Sequence, residues 1–525
     1  MYGNPPKEMP DKIKYSIFLI LLTNFIFAQN KVGKKNDAPK KETKKARIIE
    51  VKRADMLSYD RSKSDAQILK GNVICEHEGT LLYCDSALLY SSKKMEAGGN
   101  IRIIKGDSIT VTGNKLFYDA TTKLAVLEGS VVCVEKDMTL TTDILTFDVA
   151  NSIANYYNGG KIVNKANTLT SKNGHYYSSS KDITFHYDVV LTNPDYKMMS
   201  DTLRFNTISQ TAFFIGPSII ISKDDYIYCE NGYYDTDKEK AAFSRNALLV
   251  TQQQKLRGDS LFYDRNKKLG KAFNNIELRD SSGISTLFGD YAEYNQLDST
   301  ALVTKNAVYE RIVDKDTLYI HADTLWHRDV DSSNNMLKAY RHVRIYKSNM
   351  QAKCDSAAYQ SKDSLMALYY DPVLWSHRSQ GVSKIIRVFM NNSSIQGFRL
   401  EENAFFINKA DSLSDKYNQL ACKNVEAFFE NDTIRKAILT DNVEVLYFVK
   451  EKNDYVGLNK TTCSYMNVWF KNDEVYRATL NSKPQGSVTP LRDLKADDMI
   501  LKGFNWRYNE RPQSKKDIFR NASPD

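Results

Sequence analysis

Ten copies of one short strand pattern, running from Asp85 to Tyr359, constrain this chain more than any other feature of its sequence. Each copy has an acidic or amide residue, a small or apolar residue two places on, and an aromatic or apolar residue two places further. The first column reads Asp85, Asn114, Asp143, Asn173, Asp201, Glu230, Asp259, Asp290, Asp323 and Asp355, with spacings of 29, 29, 30, 28, 29, 29, 31, 33 and 32. The second reads Ala87, Leu116, Leu145, His175, Leu203, Gly232, Leu261, Ala292, Leu325 and Ala357; the third Leu89, Tyr118, Phe147, Tyr177, Phe205, Tyr234, Tyr263, Tyr294, His327 and Tyr359. Side chains two apart on a strand share a face, so the repeat predicts an apolar, aromatic-rich stripe along one side of a sheet.

A second strand follows each first one, marked by Gly71-Asn72-Val73, Gly99-Asn100-Ile101 and Gly129-Ser130-Val131, and more loosely by Asn246-Ala247-Leu248, Asn306-Ala307-Val308 and His342-Val343. Polar connectors such as Asp119-Ala120-Thr121-Thr122-Lys123 and Asp264-Arg265-Asn266-Lys267 read as turns. No helical period of useful length interrupts this region. The expected fold is all-β, a quasi-one-dimensional stack of repeats about 29 residues long.

At the start, Lys12 and Lys14 precede the apolar run Ile17 to Phe27, which ends at Ala28-Gln29. Such a run is too short for a permanent membrane span and fits a cleaved export signal over residues 1–28, with the mature chain starting near Gln29. Residues 29–46 form a Lys-rich tether, read as solvated and disordered, with contact to anionic lipid headgroups as the alternative.

The formal charge of +9 does not make a nucleic-acid binder. Residues 29–47 hold eight basic and two acidic residues (+6), and residues 1–28 hold three basic and two acidic (+1), which leaves +2 for the body. That is no electrostatic footprint for a phosphate backbone.

Seven cysteines in an exported chain invite bridges, but the repeat accounts for six without them. Cys84, Cys229, Cys354 and Cys422 precede the acidic column, where other copies have Gly113, Thr142, Ser200, Gly258, Gly289 and Ala322. Cys75 and Cys133 lie four residues after the glycine of the second strand. Cysteine here stands in for a small residue; a Cys75–Cys84 disulfide is the alternative, and Cys463 falls outside the pattern.

The folded region is expected to open near Arg47, with regular repeats over 47–370 and a break from Asp371-Pro372 to Gln380-Gly381. Residues 382–485 read as a degenerate continuation of the stack. Residues 486–525 read as a C-terminal segment with a short helix or turn (Leu491 to Asp498), then Phe504, Trp506 and a polar tail.

Three kinds of chemistry could sit on this pattern. The acidic column could ladder calcium, but Asn114 and Asn173 dilute its charge, so it is read as strand-entry residues bonding the local turn. His321 and His327 are six residues apart, about 20 Å along a strand, too far to share a metal. No nucleophile elbow, phosphate-binding glycine loop or marked acid/base pair is present, which does not by itself exclude an enzyme, because active sites on repeat folds are assembled from adjacent coils; the chain is read as a non-enzyme without cofactor or metal. From pattern alone the aromatic stripe fits a sealed core and an open, ligand-accepting groove equally well.

The heptads Gly-Asp-Ser-Leu-Phe-Tyr-Asp (258–264), Gly-Asn-Lys-Leu-Phe-Tyr-Asp (113–119) and Ser-Asp-Thr-Leu-Arg-Phe-Asn (200–206), with Leu127-Glu128-Gly129-Ser130-Val131, resemble the OstA-like family. These are periplasmic lipopolysaccharide-transport proteins typified by LptA and the N-terminal domain of LptD. The ending Leu501-Lys502-Gly503-Phe504-Asn505-Trp506 through Arg511-Pro512 looks like the longer members from Bacteroidetes-type bacteria.

The resemblance implies an elongated, twisted β-jellyroll whose apolar interior holds the acyl chains of lipopolysaccharide and bridges them toward the outer membrane. It implies lipopolysaccharide, transport components at the inner and outer membranes, and end-to-end copies of itself as partners, in the periplasm or associated with the outer membrane. The implied lipid-binding stripe is Leu89, Leu116, Tyr118, Leu145, Phe147, Leu203, Phe205, Tyr234, Leu261, Tyr263 and Tyr294. The rival readings are a structural or adhesive β-solenoid with a sealed core and a polysaccharide-degrading β-helix enzyme.

Overall fold

The computed structural model describes residues 49–519, apart from one to four residues at the tips of several turns. The expected export signal and Lys-rich tether lie outside the described residues. As the repeat predicts, the chain is all-β: 36 strands and four short 3-10 turns among the described residues, with antiparallel strand pairing throughout. No helix among the described residues is long and apolar enough to cross a membrane. The chain divides into two compact units, one of residues up to 252 with 264–266, the other of 253–263 with 267 onward.

In the first unit the 29-residue period is one β-hairpin plus its connection. Strand Lys94–Lys105 pairs with Ile109–Asp119, which pairs in turn with Leu124–Glu135. Each hairpin carries a corner at mid-strand. Gly98 faces Lys115 and Ile101 faces Gly113, so Gly99 and Asn100 together oppose the single residue Asn114. Both bulge residues adopt the left-handed conformation, with φ of 79° and 44°. Two residues opposing one bend the strand and sharpen its twist. The same pair recurs at Gly71-Asn72, Gly129-Ser130 and Arg245-Asn246, and in the second unit at Asn274-Asn275, Lys305-Asn306 and Arg341-His342.

These corners give the acidic column a role different from the one its sequence suggests. Asp85 and Asp259 sit in the middle of strands Thr80–Tyr90 and Gln254–Asp264, not at strand entry. Their carboxylates accept from the second bulge residue of the neighbouring strand: Asn100 Nδ2 reaches Asp85 at 2.9 Å, and Asn275 Nδ2 bonds both oxygens of Asp259 at 3.1 Å. Asn246 bonds Glu230, Asn306 bonds Asp290 and His342 bonds Asp323 in the same way. The reading as turn-bonding residues is therefore corrected. An Asn tolerates the left-handed backbone, and its amide supplies the donor that the acid needs.

All seven cysteines are free thiols. Cys84 lies opposite Val73 and Cys354 opposite Val343, each just past a corner. Cys463 opposes Val443 after the corner at Asp441-Asn442, so the residue that fell outside the sequence pattern occupies the same structural position. Burial pushes Cys84, Cys229 and Cys354 up to about 12.

The second unit is buried on two faces where the sequence suggested a break. Val373–Ser376 and Ser379–Val382 form a hairpin within the sheet. Cross-strand neighbours share a face, which gives the row Gln351, Trp375, Gln380, Ile407, Gln419, Leu446. The opposite face carries Ala352, Leu374, Leu420 and Val445, which belong to the main aliphatic core with Leu325, Ile345, Ile386 and Leu400. The first row is covered by the C-terminal segment, whose Leu501, Phe504 and Trp506 pack with Ile407, Leu446 and Phe448. Both faces being covered, the strands lose the polar alternation that marks a half-exposed sheet.

Three buried glutamines fasten this strap. Gln419 donates to Met499 O at 2.7 Å and accepts Leu501 N–H at 2.8 Å. Gln380 donates to Asn505 O and accepts Arg507 N–H, both at 2.7 Å, and Gln351 accepts Arg511 Nε at 2.7 Å. Further along, Ile518 is buried and Phe519 packs on His321 with ring centroids 4.9 Å apart.

Candidate functional site

The first unit holds a partly open cavity of about 430 Å³, lined by residues between Ile49 and Ala212. Both halves of several strands contribute to its wall. Strand Lys94–Lys105 supplies Met95 before its corner and Ile103 after it; strand Ile109–Asp119 supplies Val111 before and Leu116 and Tyr118 after. The corners therefore fold each strand over, and the two halves face each other across an apolar space. Its volume lies within the range of about 300–1,000 Å³ usual for small-molecule pockets.

Of the sequence-predicted stripe, Leu116, Tyr118, Leu145, Phe147, Leu203 and Phe205 line this cavity. Leu89 is partly buried against the cluster of Leu69, Ala87 and Leu116. Tyr234 is buried in a separate cluster with Phe205 and Phe214. Leu261, Tyr263 and Tyr294 belong to the second unit, where Leu261 is buried while Tyr263 and Tyr294 are 37% and 40% exposed. The structure thus gathers six of the eleven around one space.

The wall residues missed by the repeat include Ile103, Val111, Cys133, Leu140, Ile162 and Leu169, on the other side of the corners from the repeat columns. The signal for them was the same alternation carried across the bulge. Because two residues there oppose one, parity read straight through a corner is wrong for one of the two strands.

Polar residues gather where the cavity meets the hairpin ends: His77, Lys105, Glu135, Asn164 and Asn167. Asn164 Oδ1 is buried without a hydrogen-bond partner among the described residues. Toward the opposite turns, His175 Nδ1 lies 2.7 Å from Asn155 Oδ1. Burial, and secondarily the His186 ring 5.6 Å away, hold the His175 pKa below its ordinary value. At neutral pH its imidazole is uncharged, which keeps that wall apolar in character. The arrangement can bury hydrocarbon in the middle and meet polar groups at its rim.

Comparison with known proteins bears on the same stretch. No curated protein matches this sequence. One similar solved structure is LptH, the LptA homologous periplasmic component of the conserved lipopolysaccharide transport device from Pseudomonas aeruginosa. It is 14% identical, covers 20% of this chain and 79% of its own, and superposes with a TM-score of 0.18. The OstA-like protein family matches residues 45–201. Those residues, over which the chain is similar to the OstA-like family, supply nearly all of the cavity wall.

Proposed function

We propose that this protein is a periplasmic, non-enzymatic lipid-binding component of lipopolysaccharide transport toward the outer membrane, exported by a cleaved signal. Lipopolysaccharide is its ligand, and transport components at the inner and outer membranes are its partners. The observation that carries this reading is the coincidence of the apolar cavity with the OstA-like stretch. The family match supports a periplasmic lipopolysaccharide-transport role at the level of the family. The cavity adds the physical means: each CH₂ moved from water into such an interior gains about 0.8 kcal/mol. A lipid with several acyl chains has no comparable route through an aqueous compartment unaided.

Lipid extraction from the purified full-length chain tests the binding step, with bound 3-hydroxy fatty acids of lipid A as the expected result. Depletion in cells tests the transport step, and should leave lipopolysaccharide short of the outer leaflet. A chain that purifies free of lipid and takes none up would favour the sealed solenoid instead.

A further inference from the structure

Beyond the residues that line the cavity, a second 29-residue column runs through the first unit. Tyr156, Phe185, Phe214 and Phe243 are spaced 29, 29 and 29 apart, on the strands that alternate with those of the acidic column. Cross-strand pairing puts them in one row with their neighbours: Tyr156, Gly174, Phe185, Leu203, Phe214, Gly232, Phe243. Upstream, the same row holds Ala97, Leu116, Leu127 and Leu145, all aliphatic. The cavity continues past the first two aromatics, Tyr156 and Phe185, and stops short of Phe214. It is open beside the leucines, and its lining ends with Phe185, Leu203, Phe205 and Ala212.

Immediately beyond, the interior is filled. Phe214 is 1% exposed and its ring stacks on Phe243, with centroids 6.4 Å apart and planes inclined by 27°. The stack is made over Gly232, where an added Cβ would come within 3.3 Å of both rings. In the adjacent row, large and small residues alternate as Phe205, Ala212, Tyr234 and Ala241, all buried. Rings from successive strands therefore occupy the space that leucines leave open nearer the N-terminal end.

We propose that Phe185, Phe214 and Phe243 form an internal stop, so that the acyl chains enter a blind pocket within residues 49–212 and do not pass further along the interior. The proposal rests on the lipid-binding reading above and deepens it. The chain then holds its lipid at a fixed depth and must release it by the way it entered or through a lateral opening. The stop also sets chain-length preference. Acyl chains that reach Phe214 are accommodated only if the ring moves, which costs packing in a filled core.

The test places a photo-crosslinking benzoylphenylalanine in the full-length protein at Phe147, in the cavity, or at Phe243, the member of the stop farthest from the cavity. Both replacements keep an aromatic side chain. Each protein is incubated with lipopolysaccharide and irradiated. A strong lipid adduct at position 147 and at least ten-fold less at 243 is expected. Phe214→Ala should raise the adduct at 243 several-fold; Phe214→Leu, gentler on the fold, should raise it by less, and a thermal melt of each variant verifies folding. Equal adducts at 147 and 243 in the otherwise unaltered chain would overturn the stop while leaving lipid binding intact. Adducts at neither position would overturn the lipid reading itself, and the stop with it.

Discussion

Gln380 and Asn505, 125 residues apart in the chain, are joined by a hydrogen bond of 2.7 Å from the buried side-chain amide to the backbone carbonyl. The other end of the same amide accepts Arg507 N–H at 2.7 Å and Trp375 Nε1–H at 3.2 Å. One side chain thus meets two backbone groups of the strap and the indole beneath it. Replacing it by the similarly sized Gln380→Leu leaves those groups buried and unpaired, at about 1–3 kcal/mol each at most. Faster amide hydrogen exchange across residues 499–511, with the core strands unchanged, is the expected outcome.

The far part of the strap should release in acid. Glu510 bonds Arg507 and Lys353, and the Arg507 guanidinium is the main cause that holds its carboxyl at about 2, below the ordinary 4.5. A depressed carboxyl contributes stability that is fully present above pH 4.5 and is lost as pH falls through the folded value near 2. Limited proteolysis between pH 5 and 2 should cut the strap progressively more readily. Glu510→Gln should be cut readily at neutral pH and show a flattened pH profile.

Corner geometry can be tested at Gly99. A Cβ there would collide with the Asp85 carboxylate, and the backbone φ of 79° strains any side chain. Gly99→Ala should destabilise the first unit by about 1–3 kcal/mol in denaturant unfolding. With Asp85→Ala present, the carboxylate part of the clash is gone while the Cβ of residue 85 stays 2.9 Å from the new methyl, so the double variant should lose less than the sum of the two singles.

Occupancy of the cavity can be separated from stability at Leu145, a half-buried wall residue. Leu145→Trp places a larger ring in open space. Bound lipid should fall several-fold by extraction while the melting temperature holds or rises, because filling a void adds contacts without removing any. A drop in both would mean the wall, not the space, was disturbed.

The cysteines predict a simple mass measurement. With all seven as free thiols, the intact mass of the folded, unreduced protein should lack no hydrogens relative to the reduced chain. Thiols raised to about 12 by burial, as at Cys84 and Cys354, should resist alkylation at pH 8 until the protein is unfolded.

Much of this architecture was legible because the repeat is strict at the positions that matter. Tyr118, Phe147 and Phe205 could be placed on one face from spacing alone, and the structure puts all three around the cavity. The acidic column was visible but misassigned, since nothing in a lone strand shows that Asp85 faces a two-residue bulge on its neighbour. The aromatic column through Phe185 and Phe214 went unread because it lies on the strands aligned by their glycines and amides. The hairpin of Trp375 and Gln380 looked like a break for a different reason. A strand covered on both faces has no alternation, and its buried glutamines resemble loop residues until their distant backbone partners are known.

The corner motif also governs how such a chain can change length. At Asp85, Glu230, Asp259 and Asp290 the acid meets an asparagine amide of the strand beside it, so the unit of construction is a hairpin complete with its own bend. Inserting one residue into a strand would turn its inward side chains to water and pull the acid away from its amide. Adding or removing about 29 residues would leave every surviving bend in phase. Growth in this molecule is accordingly quantised. The wall chemistry of each added hairpin, leucine or phenylalanine at one position, then decides whether the interior gains room or loses it.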